Sequence, residues 1–184
     1  EANIQNVLSD FSFMNINARG FKQLNKDASL SYFAQLNYNK AYWNSKSIMN
    51  SPWYIGYFDQ RKTIEVGNIS GNINGINNFG KGFKVSYRYF ENQKSTVYYL
   101  RNPTLVGSAQ NESVGIEHES RISNNFKFTA KLGRNINRIS GNEINAYSFS
   151  PTFTIRKKHS VNLLATLTDR QKVGLRGTEI GSLF

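Results

Sequence analysis

The sequence predicts an all-β fold: an antiparallel transmembrane β-barrel of about 12 strands (10–14), with short periplasmic turns and longer extracellular loops. Three observations carry that expectation. Five short polar clusters recur at near-constant spacing; their centres, Lys26, Gln60, Gln93, Asn124 and Lys158, lie 34, 33, 31 and 34 residues apart. Each is flanked on both sides by alternating apolar and polar residues, the period of a strand with one apolar face. Between clusters runs a longer connection rich in Asn, Gly and Ser, and no stretch approaches the roughly 20 apolar residues a membrane helix needs.

In chain order the strand-like runs fall near 11–24, 28–38, 53–59, 63–69, 82–90, 95–101, 113–121, 126–134, 146–156, 160–168 and 173–184. The run at 11–24 needs an ascending partner before it, and Asn3 to Leu8 is the segment available. That addition brings the count to 12, an even number with both ends on the turn side. Parity is clearest in the second half. Phe83, Val85 and Tyr87 oppose Lys84 and Arg88; Val114 and Ile116 oppose Glu117 and Glu119. Phe126, Phe128 and Leu132 oppose Lys127 and Lys131; Phe149 and Phe153 oppose Ser150 and Arg156; Val161 and Leu163 oppose Asn162 and Thr166. Alternate residues of a barrel strand meet lipid and interior. Phe83, Val85, Tyr87, Phe126, Phe128, Leu132, Phe149, Phe153, Val161 and Leu163 are therefore expected to face lipid. Lys84, Arg88, Glu117, Glu119, Lys127, Lys131 and Arg156 are expected to line the interior. In 11–24 and 95–101 apolar residues stand at both parities, and neither face is assigned there. Gly67, Gly71, Gly75, Gly80 and Gly82 read as a flexible loop with glycines at its bends.

Composition narrows the function. The 184 residues allow one domain spanning 1–184, either a whole barrel or one section of a larger one. There is no cysteine, and the two histidines come without an Asp/Glu cluster at ligand spacing, so neither a metal site nor any other cofactor is expected. Net charge is +11 and the pI near 9.9. The cations are scattered through turns and strands instead of interleaving with aromatics on one surface, which argues against nucleic acid as a partner. Aromatics make up 14% and flank the presumed membrane boundaries (Tyr38, Tyr42, Trp43, Trp53 and Tyr54; Tyr89, Phe90, Tyr98 and Tyr99), like the girdles of membrane barrels. A soluble sandwich or lipocalin-like barrel would also alternate, with its apolar face inward. The chain opens at Glu1 without a charged start and apolar core, so an export signal is expected to lie outside this sequence.

Local resemblances sharpen the expectation. The aromatic Phe184 resembles the terminal assembly signal of outer-membrane proteins, which implies the bacterial outer membrane of a Gram-negative cell. The segment from Glu65-Val66-Gly67-Asn68 to Gly80-Lys81-Gly82-Phe83 resembles the barrel hairpins of fimbrial ushers and related secretion pores, which implies a protein partner in a larger assembly. Size and basic balance resemble the twelve-stranded acidic-sugar porins, which implies a passive channel for anionic solutes or acidic oligosaccharides. His118 and Ser120 resemble the His-x-Ser pair of outer-membrane phospholipases, which implies lipolysis. The position twelve after that serine is Leu132 and no group is evident to orient a base, so no catalytic residue is assigned. The leading expectation is a channel with a basic interior, with a translocation component as its alternative.

Overall fold

The computed structural model describes residues 2–5, 13–39, 51–73, 76–102, 111–138, 140–155, 159–172 and 175–180. They form β1 (Ala2–Gln5), β2 (Phe13–Gln23), β3 (Ser29–Asn39), β4 (Trp53–Phe58), β5 (Lys62–Ile73), β6 (Ile76–Phe90) and β7 (Gln93–Arg101). There follow β8 (Asn111–Ser123), β9 (Phe126–Asn137), β10 (Glu143–Ile155), β11 (His159–Asn162), β12 (Ala165–Lys172) and β13 (Leu175–Ile180). All thirteen belong to one antiparallel sheet in which sequence neighbours pair, except that β11 and β12 both pair with β10, and no described residue is helical. β11 and β12 lie end to end along the same side of β10, so the path from β1 to β13 is twelve strands wide. The break between them has a local cause. It falls opposite Ser150 and Pro151, between Phe149↔Ala165 and Thr152↔Asn162, and Pro151 has no N–H to give to the ladder. Its carbonyl still accepts from the N–H of Leu163 at 3.0 Å.

Two expectations need correction. The glycine-rich stretch around Gly67 to Gly82 is paired sheet, not loop: β5 and β6 register from Lys62↔Tyr87 to Ile73↔Ile76, leaving only residues 74 and 75, Gly75 among them, between the strands and outside the described residues. The glycines are small because something occupies the space above them. A Cβ on Gly71 would meet the Tyr98 ring at 2.6 Å, and Gly67 adopts φ +110° beneath Trp53. The long/short alternation also weakens, since β5–β6, β9–β10 and β12–β13 are joined by only 2, 5 and 2 residues (74–75, 138–142, 173–174). The long connections are 40–52 and 102–110, both largely outside the described residues. The short turns sit as expected after β2, β4, β6 and β8. Among the described residues β1 and β13 are not paired, so a sheet is established and its closure is not.

The sheet curls towards its polar face. Asn78 on β6 and Asn135 on β9 are three strands apart, a separation of about 14 Å in a flat sheet. Asn135 nevertheless donates to the Asn78 side-chain oxygen at 3.0 Å. The same curl gathers Ile69 (β5), Tyr98 and Leu100 (β7) and Ala146 (β10) into a buried cluster with Tyr54 (β4) against it. This small core lies on the concave side.

Candidate functional site

Register decides which side chains share a face, because directly paired residues point the same way. One row runs Tyr57–Ile64–Val85–Val97–Ile116–Leu132–Tyr147–Leu167 across eight neighbouring lanes of the sheet. These side chains are open to the surroundings on the convex side: Ile116 is 48% exposed, Leu132 52% and Tyr147 44%. Phe83, Val85, Tyr87, Phe126, Phe128, Leu132, Phe149, Phe153, Val161 and Leu163 all belong to this apolar face, by pairing or by parity. At its turn end rings gather: Phe126 lies 4.9 Å from Phe153 and Phe128 5.5 Å from Phe149, centroid to centroid. At the loop end it gives way to ion pairs, in which Glu112 meets Arg138 at 2.7 Å and Arg101 at 3.8 Å, while Arg134 meets Glu143.

The opposite, concave face carries charge in its middle and towards the short turns. Lys84, Arg88, Glu117, Glu119, Lys127 and Lys131 all lie on it, by pairing or parity; Arg156 lies outside the described residues. Two of the cations are already paired. Lys131 Nζ stands 2.8 Å from Glu117, directly opposite in register, and Lys84 Nζ stands 3.4 Å from Glu65. Ser86 and Thr96 hydrogen-bond side chain to side chain at 2.8 Å, buried between these pairs. An open cavity of about 420 Å³ is lined by Asn78, Lys84, Lys94, Thr96, Tyr98 and Glu117, among others. A second, of about 300 Å³, holds Arg88, Lys94, Glu119, Arg121 and Lys127. Lys94 lines both, so polar space continues along this face from the small core towards the short turns.

Among the members of the face that sequence parity missed are Glu65, Lys94 and Arg121. Glu65 stands in a weakly alternating run. Lys94 adjoins the polar cluster centred on Gln93, yet it stands in β7 opposite Arg88 and Glu119. Arg121 is carried onto this face just before a bulge, opposite Lys127. The continuation of alternation from Thr96 back to Lys94, and from Glu119 on to Arg121, was the signal available. His118 and Ser120 lie on the apolar side, as parity expects; the partner of His118 Nδ1 is the hydroxyl of Ser95, at 2.9 Å, not Ser120.

A comparison with protein families finds no match, and a comparison with curated proteins finds none either.

Proposed function

We propose that this chain builds the wall of a bacterial outer-membrane β-barrel, crossing the membrane by strands, whose concave face lines a passive path for anionic solutes. The observation that carries the reading is the convex row from Tyr57 to Leu167. Fully burying a large apolar side chain is worth about 1.5–3 kcal/mol. A water-soluble chain would forgo much of that at every position of the row, a sum comparable to the roughly 5–15 kcal/mol net stability of a whole domain. Placing the charged and hydroxyl-bearing face inside and the large apolar side chains outside is the reverse of a soluble barrel, and it suits hydrocarbon.

The interior chemistry supports anions as cargo, because the described cations of the concave face outnumber its carboxylates. A second reading, a barrel section of a usher-like or secretion assembly, is supported by the unpaired β1 and β13 edges among the described residues and by the Tyr98 and Leu100 core on the concave side. Single-channel recording in a planar bilayer separates the two. Stepwise conductance with an anion-directed reversal potential supports the first; insertion into the bilayer without conductance supports the second. A chain that stays monomeric and soluble without detergent would defeat both.

A further inference from the structure

Like charges face each other where pairing rules disfavour them. Arg88 of β6 is directly opposite Lys94 of β7, and Arg121 of β8 is directly opposite Lys127 of β9. Such side chains start about 5 Å apart, and like charges there destabilise a sheet. The four strands are consecutive, so the two pairs lie side by side, and all four cations line the same open groove. Glu119, opposite Lys94, and Glu91, in the adjoining turn, also line it, so four cations against two carboxylates leave an excess of two. Elsewhere on this face the same sheet sets carboxylates against cations, as in Glu65–Lys84 and Glu117–Lys131.

We propose that this groove binds a small polyanion, phosphorylated or carboxylated, through Arg88, Lys94, Arg121 and Lys127. The inference rests on the concave face being the water-filled side of a barrel, though not on conduction. The two arginines offer planar forks that match phosphate or carboxylate oxygens two at a time, and the two lysines add compact charges. Arg121 is already oriented, since its Nη2 donates to the Asn124 side-chain oxygen at 3.2 Å. A monoanion can satisfy one like-charge pair, and a polyanion can bridge both. Affinity should therefore climb with the number of anionic groups and fall with salt.

Calorimetric titration of the folded protein in neutral detergent at low salt tests this, with pyrophosphate and citrate as polyanions and acetate as the monoanion. Both polyanions should bind more tightly than acetate, and pyrophosphate compared with citrate, close to each other in charge, identifies the ligand as phosphorylated or carboxylated. Arg88→Gln with Lys127→Gln should weaken binding about ten-fold or more, the loss expected for charge-assisted hydrogen bonds. Lys26→Gln with Lys81→Gln, two cations outside the groove, should leave it unchanged. Without anion, the groove variant should unfold at the same or a higher temperature than the parent, because a repulsion is relieved. With pyrophosphate only the parent's midpoint should rise. No binding by either polyanion, or equal weakening by the two double variants, overturns the proposal. Binding without conductance would defeat the channel reading alone, and conductance without binding would defeat this one alone.

Discussion

Asp59 shows how one side chain closes a turn. Its Oδ1 accepts from the backbone N–H of Lys62 and of Arg61, each at 2.7 Å, and its Oδ2 accepts from the Tyr57 hydroxyl at 3.0 Å. Asn25 repeats the device in the turn before β3, accepting from the N–H of Asp27 and Ala28. The Lys62 N–H, followed by that of Arg61, holds the Asp59 carboxyl below its ordinary value of 3.8. A depressed folded-state pKa contributes stability that is present above the unfolded value and lost as pH falls through the folded one. Asp59→Ala should therefore lower the unfolding midpoint near neutral pH, and the gap to the parent should narrow below about pH 4. A gap that stays constant down to the acid limit would mean that the carboxylate charge does not hold the turn. Gly115 gives a test in the concave face: a Cβ there would meet the buried Tyr98 ring at 2.3 Å. Gly115→Ala should cost about 1–3 kcal/mol by overpacking, and Tyr98→Leu should relieve it. Additive losses in a double-mutant cycle would show that the two do not compete for the space.

At the scale of the element, alternation made most strands legible and packing decided the rest. Phe126 to Leu132 and Tyr147 to Phe153 alternate without interruption, their apolar residues on the convex face and their polar ones on the concave face. β7 could not be assigned from sequence, because Tyr98 and Leu100 build the small core on the concave side while Val97 and Tyr99 face the other way. The β5–β6 hairpin was hidden by its glycines, which signal bends when counted by type and close approach when seen beneath Trp53 and Tyr98. The Asn74-Gly75 dipeptide between two isoleucines was the hairpin signal that composition masked. Face assignment has a direct test. Leu132→Arg should cost about 2–4 kcal/mol near the bilayer midplane and Phe128→Arg, nearer the turn end, less, whereas Thr129→Arg should be tolerated. Refolding yields into liposomes, read by heat-modifiable mobility, would measure it. A soluble sheet predicts the reverse, improved solubility with an arginine at Leu132 and no loss of fold.

For the whole molecule, strand order and curvature follow from local pairing, whereas closure depends on β1 and β13, the ends of the path. Orientation is separately measurable. A cysteine at Arg138, in the β9–β10 connection, and one at Gln93, beside the β6–β7 turn, lie at opposite ends of the strands. Only the former should label from outside intact cells, and labelling of the latter alone would invert the topology.

Selectivity tests the concave face as one electrostatic unit. Fields from charges along a narrow, low-dielectric wall add and raise local anion concentration, and the effect fades with salt. Paired and unpaired cations should not contribute equally. Lys131 sits 2.8 Å from Glu117, so Lys131→Glu would set two carboxylates against each other and strain the fold before it reported on selectivity. Arg88 and Lys127 line the turn-side groove instead, each facing another cation in register. Replacing both with glutamate changes the charge by four units, from +2 to −2, and converts each like-charge pair into an attractive one, so the fold should survive. The reversal potential in a salt gradient should then swing from anion towards cation preference, most strongly at low ionic strength. A barrel that keeps its anion preference with both substitutions in place would show that its conduction path does not pass Arg88 and Lys127.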